Sequence, residues 1–135
     1  MDGKLGWLYF QKNIDECPNG VYHSPMSIKI FRTSVYIRFV SQLPPGSEID
    51  KAEKEIAKNP TGWPVVQGTG GLRKARFSIG NKGKRGGGRI CYFYFMQEES
   101  VHLLKAYSKN EKEDLTPSEK NVLRQIVKDL KNERT

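Results

Sequence analysis

Apolar and polar residues alternate along residues 27–32, as expected of a half-buried β-strand. Residues 34–43 fit two patterns. Their β-branched and aromatic residues favour a strand, whereas Val35, Phe39 and Leu43 share one face at helical spacing. A Pro-Pro-Gly sequence at residues 44–46 ends this segment. The pattern therefore begins with one strand and one element whose type stays open.

A helix is predicted after this break. Ser47 is placed to cap it, and Ile49, Ala52 and Ile56 recur on one face. The Asn-Pro-Thr-Gly sequence at residues 59–62 ends the helix.

Three strands and a final helix follow, the strands at residues 71–79, 89–97 and 101–108. Their short connections imply antiparallel pairing. Thr116-Pro117-Ser118-Glu119 is a capping box, and an apolar stripe follows it. We therefore predict an α+β domain with an antiparallel sheet: strand, two helices, three-stranded meander and C-terminal helix.

Residues 1–25 differ from the rest, because they show no sustained period and contain several glycines and prolines. The alternating pattern begins after Met26. We therefore expect a functional domain at residues 26–135. Residues 1–25 would be an extension of doubtful order or the product of a misassigned start.

The chain is strongly basic, with 23 Lys and Arg against 15 Asp and Glu and a formal net charge of +8. Such a charge favours a polyanionic partner, with nucleic acid among the candidates. No apolar run reaches the roughly 18 residues that a membrane span needs. Cys17 and Cys91 do not form a metal-binding spacing. We expect a cytoplasmic, metal-free protein without a small-molecule cofactor.

The basic residues are segregated along the chain. No Asp or Glu lies between Glu55 and Glu98, a stretch that holds eight Lys and Arg residues. Seven of these eight lie between Arg73 and Arg89, on one predicted hairpin and its loop. This polarity resembles an electrostatic footprint for a phosphate backbone. The glycine-rich loop within it does not fit the Walker A pattern, and is either an RNA contact or merely a mobile hairpin loop.

Strand alternation brings three of these cations together. Ala75 and Phe77 are expected to face the core, so Lys74 and Arg76 project from the opposite face. Arg89 begins the neighbouring strand and can lie beside them. The three cations could bind a phosphate or stabilise charge developing on it. The alternative is a solvated sheet face, which is the commoner role for a charged strand.

Three motifs in the same order resemble those of HigB-type toxins in the RelE/ParE superfamily. Residues 67–76 read QGTGGLRKAR and are similar to the G-T-G-G-[LA]-R-K-x-R motif of that family. Residues 84–90 read KRGGGRI and resemble its K-x-G-G-x-R-[VI] segment. Residues 106–116 read AYSKNEKEDLT and resemble its Y-x-K-N-E-x-x-D-L-[ST] stretch. The resemblance covers about residues 26–133 and implies a RelE-like fold.

The resemblance also implies a metal-independent endoribonuclease that cuts mRNA in the ribosomal A site. By position, Arg89 matches the transition-state arginine, Lys74 and Arg76 match the basic pair, and Lys109 is a further catalytic candidate. The RNA-binding candidates are Arg73, Lys82, Lys84, Arg85 and Tyr107. A Glu/His acid–base pair found in some relatives is missing, so the general acid and base stay open.

The implied partners are mRNA on the ribosome and a cognate antitoxin, usually a helix-turn-helix DNA-binding protein. No membrane and no cofactor are implied. Two alternatives remain open at this point. One is a ParE-like gyrase poison with the same fold, and the other is a non-enzymatic or inert RNA-binding relative.

Overall fold

One sheet with helices on both faces makes up the described part of the protein, which in the computed structural model comprises residues 9–12, 28–80 and 87–134. Within these ranges the strands are β1 (Tyr9–Lys12), β2 (Lys29–Thr33), β3 (Arg73–Phe77), β4 (Gly88–Phe95) and β5 (Ser100–Ser108). The helices are α1 (Ser34–Ser41), α2 (Ile49–Lys58) and α3 (Pro117–Arg134), with a 3-10 turn at Met96–Glu98. None of these described helices is long and apolar enough to cross a membrane.

The segment of undecided type is helix α1. Thr33 caps it, because its hydroxyl oxygen accepts a hydrogen bond from the Tyr36 backbone N–H at 3.1 Å. The same hydroxyl donates to the Leu104 carbonyl of β5 at 2.7 Å. The buried Thr33 therefore fixes both the start of the helix and its position on the sheet.

Helix α2 starts one residue later than Ser47 would allow, which corrects the predicted cap. Glu48 is the N-cap residue, and no described side chain caps the helix. Instead, the Glu48 N–H donates to the Ser78 carbonyl at 2.9 Å, which ties the helix start to the end of β3. The predicted apolar stripe of Ile49, Ala52 and Ile56 is buried.

The α+β class and the order of elements are confirmed, but the sheet is mixed rather than wholly antiparallel. The strand order is β1-β2-β5-β4-β3. The meander β3-β4-β5 is antiparallel as predicted, whereas β2 pairs in parallel with β5, with Ile30 opposite Val101. A short connection would have required antiparallel pairing, but none joins β2 to β5. The sequence therefore left both the parallel and the antiparallel arrangement of these two strands possible.

Strand β1 lies within the predicted N-terminal extension. It pairs antiparallel with β2, with Phe10 opposite Arg32, and so forms an edge of the sheet. The predicted boundary at Met26 lies outside the described residues. The division into residues 1–25 and 26–135 therefore stays a prediction.

Two cores lie on the two faces of the sheet. Helices α1 and α2 cover one face, where Ala75 and Phe77 are buried as predicted. Helix α3 covers the other face through Leu123, Val127 and Leu130. The capping box before α3 is confirmed: the Thr116 hydroxyl accepts from the Glu119 N–H at 3.1 Å, and the Glu119 carboxylate accepts from the Thr116 N–H at 2.9 Å.

Candidate active site

The α3 side of the sheet carries a row of cations. Lys74 lies opposite Cys91, and Arg76 lies opposite Arg89, which in turn lies opposite Tyr107. Residues directly opposite one another in a sheet point to the same face. Lys74, Arg76 and Arg89 therefore project on one side, as strand alternation predicted.

A cavity of about 410 Å³ opens where these cations meet the link before β3 and the loop after β5. Its described lining consists of Trp63, Pro64, Lys74, Arg76, Arg89, Lys109, Glu113 and Asp114. All four predicted catalytic residues are among them. The fold thus brings together side chains that are far apart along the chain.

Arg89 is the most deeply placed cation, with 8% of its surface exposed. Its Nη1 donates to the Gly88 carbonyl at 3.0 Å. Burial, and then the neighbouring Arg76 guanidinium, lower the pKa of Arg89. Both effects disfavour the cation, and a bound anion would relieve both of them. The Arg76–Arg89 pair is therefore suited to binding a phosphate group.

Lys74 is ion-paired with Asp114, whose Oδ1 lies 3.1 Å from Lys74 Nζ. The same Oδ1 accepts from the Leu115 N–H at 2.7 Å and from the Tyr107 hydroxyl at 3.4 Å. Partial burial opposes ionisation of Asp114, but the Leu115 N–H and Lys74 outweigh it and lower the pKa of this carboxyl. The cavity therefore holds the Asp114 carboxylate among its cations, in addition to Glu113, which also lines it.

Lys109 lies at the rim of the cavity. Its Nζ donates to the Glu113 carbonyl at 3.1 Å and to the Glu113 carboxylate at 3.2 Å. Its backbone N–H donates to the Gly87 carbonyl at 2.9 Å, which joins the end of β5 to the start of β4. This backbone hydrogen bond keeps Lys109 beside β4, the strand that carries Arg89.

The predicted RNA-binding residues are placed differently from one another. Tyr107 is only 2% exposed, so its ring offers little surface for stacking, and its predicted contact with RNA stays a prediction. Burial raises the pKa of its hydroxyl, which remains a donor to Asp114. Arg73 donates to the Trp63 carbonyl at 2.6 Å and braces that segment. Lys82, Lys84 and Arg85 lie outside the described residues.

Sequence reasoning missed Trp63, Pro64, Glu113 and Asp114. Asp114 lies within the third motif, but its distance from Lys74 along the chain hid the ion pair. Trp63 and Pro64 belong to a link without periodicity, where a lone tryptophan between Gly62 and Pro64 was the available signal. All four reach the cavity from loops, and strand alternation predicts nothing about side chains in loops.

The described residues contain no group of three or more His, Cys, Asp or Glu side chains placed to hold a metal ion. His102 is buried and stacks on Phe31, with ring centroids 4.9 Å apart, so it packs in the interior on a different part of the sheet from the cavity lining. Burial also raises the pKa of the Cys91 thiol to about 12, so it stays protonated. The cavity therefore offers four cations, the carboxylates of Glu113 and Asp114, and the buried Tyr107 hydroxyl that donates to Asp114.

Residues 28–135 match the family model described as the RelE toxin of the RelE / RelB toxin-antitoxin system. The match contains every residue that lines the cavity and every described element except β1.

Proposed function

Because the chain belongs to the RelE toxin family, we propose that it is a metal-independent endoribonuclease that cleaves mRNA on the ribosome and so inhibits translation. The family makes the chain the toxin of a toxin-antitoxin system, with a cognate antitoxin as its partner. The observation that carries the proposed activity is the convergence of Lys74, Arg76, Arg89 and Lys109 on one cavity.

The reaction needs mainly charge stabilisation. The ribose 2′-oxygen forms a bond to the adjacent phosphorus while the bond from phosphorus to the 5′-oxygen breaks. The 2′-hydroxyl loses its proton, and the leaving oxygen gains one. Negative charge builds on the phosphoryl oxygens in the transition state, where a buried guanidinium held by protein contacts is most effective.

Each cation has a distinct place in this scheme. Arg89, which is buried and bonded to the Gly88 carbonyl, stabilises the transition state together with Arg76. Lys74 holds a phosphoryl oxygen beside these two guanidinium groups, because it projects from the same face of the sheet into the same cavity. Lys109 at the rim contacts the RNA backbone or the leaving oxygen.

The antitoxin is proposed to be a helix-turn-helix DNA-binding protein, in keeping with the HigB-like motifs at residues 67–76, 84–90 and 106–116. Arg73, Lys82, Lys84 and Arg85 are proposed to extend the RNA contact beyond the cavity. The net charge of +8 favours both the ribosome and an acidic antitoxin segment as partners.

Primer extension on an mRNA in a reconstituted bacterial translation reaction tests the activity. We expect ribosome-dependent breaks within codons with the wild-type chain, and a loss of roughly 100- to 1000-fold in cleavage rate for Arg89→Ala. Arg124→Ala removes the same charge from an exposed position on α3 and should cleave normally. Intact mRNA with the wild-type protein would contradict the proposal.

A second assay separates the alternatives. Inhibition of gyrase supercoiling without mRNA breaks would identify a gyrase poison instead. Ribosome binding that weakens modestly in Arg89→Ala, without breaks, would identify an RNA-binding protein that is not an enzyme.

A further inference from the structure

The cavity has one wall that differs in chemistry from the rest. Of the eight described residues that line it, six are charged, while Trp63 and Pro64 form an apolar wall. Phosphate binding gives Pro64 no role and would use at most the indole N–H of Trp63, because neither side chain carries a charge and the indole ring itself is apolar. An apolar surface beside the cations suits a ligand that carries both a negatively charged group and a flat aromatic ring.

Hydrogen bonds hold this wall rigidly against β3. The Trp63 carbonyl accepts from Arg73 Nη1 at 2.6 Å, and the Pro64 carbonyl accepts from the Lys74 N–H at 3.2 Å. The Tyr92 hydroxyl donates to the Pro60 carbonyl at 2.6 Å. The Trp63–Pro64 peptide is thereby fixed on the strand that carries Lys74 and Arg76.

Trp63 is only partly buried. One part packs against the core between the sheet and helices α1 and α2, and another part lines the cavity. A tryptophan held in this way has lost most of its rotamer freedom before any ligand binds. Stacking on it then costs little additional side-chain entropy.

From these contacts we propose that Trp63 and Pro64 form a base-binding subsite, so that the cavity binds a whole nucleotide, with its phosphate on Arg76 and Arg89 and its base against the indole. The proposal rests on the proposed RNA substrate and specifies how one nucleotide of it is held. Aromatic stacking is tolerant of base identity, because every base presents a flat π-face. Purines bind more tightly than pyrimidines, since their larger rings cover more of the indole.

Ligand binding to the purified full-length chain tests the subsite without the ribosome. The probes are AMP, UMP and inorganic phosphate, measured by calorimetry. A Trp7→Phe background leaves Trp63 as the remaining tryptophan of the two in the sequence, so its fluorescence reports on the subsite. We expect AMP to quench Trp63 emission and to bind about tenfold more tightly than phosphate, with UMP between them.

Two variants separate stacking from folding. Trp63→Phe should retain most of the preference for AMP over phosphate, because it keeps an aromatic ring. Trp63→Leu should reduce AMP affinity to that of phosphate while phosphate itself still binds, which also shows that the cavity is folded. Equal affinities of the wild-type protein for AMP and phosphate, or an unchanged preference in Trp63→Leu, would overturn the proposal.

The outcomes also distinguish this proposal from the activity on which it rests. If AMP shows no preference over phosphate, the base-binding subsite is refuted, but the proposal of mRNA cleavage that depends on Arg89 still stands. If mRNA is not cleaved, binding of AMP against Trp63 is still measured directly.

Discussion

The Lys74 ammonium and the Tyr107 hydroxyl both donate to one oxygen of Asp114, at 3.1 and 3.4 Å. Lys74 comes from β3, Tyr107 from the end of β5, and Asp114 from the loop before α3. A single carboxylate therefore joins three segments around the cavity. The Asp114 carboxylate balances the charge of Lys74, while Arg76 and Arg89 line the same cavity.

We expect Asp114→Asn to lower kcat roughly tenfold, because Lys74 loses the partner that holds it in place. The variant should lower KM at the same time, since a carboxylate no longer competes with the RNA phosphate for Lys74. Cleavage rates over a range of mRNA-programmed ribosome concentrations separate the two effects. Glu133→Gln, exposed near the end of α3, is the matched control. A raised KM with unchanged kcat would argue against this role.

The lowered pKa of Asp114 also predicts a pH dependence of stability. A carboxyl group whose pKa is depressed in the folded state contributes stability above its unfolded pKa of about 3.9, and loses it as the pH falls through the folded pKa. The contribution is below about 1 kcal/mol, because 53% of the side chain is exposed and solvent screens the charge.

Urea unfolding of the wild-type protein and Asp114→Asn measures this contribution. The difference between their unfolding free energies should be largest at neutral pH and should shrink as the pH falls below the unfolded pKa of about 3.9. A difference that grows on acidification would contradict the assignment.

Thr33→Val should destabilise the protein by about 1–2 kcal/mol, because the α1 cap and the bond to the Leu104 carbonyl are both lost. Thr33→Ser keeps the hydroxyl and is the control. Chemical denaturation followed by circular dichroism gives both values. Equal stability of the Val and Ser variants would show that the hydroxyl contributes nothing.

Glu53 is buried on α2, with 4% of its surface exposed, and accepts from Arg32 at 2.5 Å and from the Tyr36 hydroxyl at 2.6 Å. We expect Glu53→Ala to cost about 3 kcal/mol, because it leaves the Arg32 charge largely buried without this carboxylate. Asp50→Ala, at an exposed position on the same helix, should cost less than about 1 kcal/mol. Similar losses of unfolding free energy in the two variants would show that the Glu53 carboxylate is not needed to compensate the Arg32 charge.

Local signals predicted the parts of the fold that depend on neighbouring residues. Thr116 and Glu119 lie within one turn, so their capping box could be identified directly. Alternation and short connections likewise predicted that Lys74, Arg76 and Arg89 share one face. Helix α1 stayed undecided, although its cap, Thr33, was visible in the sequence.

Long-range relationships could not be predicted in the same way. The direction of β2 relative to β5 depends on packing between distant segments, and nothing in residues 29–33 encodes it. The same holds for Asp114 and Trp63, which reach the cavity through loops. Their contribution depends on where the sheet places each loop.

The central position of β5 determines when the protein can fold during synthesis. β5 lies between β2 and β4 and is the last of the described strands to be translated. Until β5 leaves the ribosome, β2 has no partner on that side, and Lys109 is not available to complete the cavity. Pairing over so long a separation also makes closure of the sheet slow. A nascent chain that lacks β5 therefore cannot form the cavity to which the proposed activity is assigned.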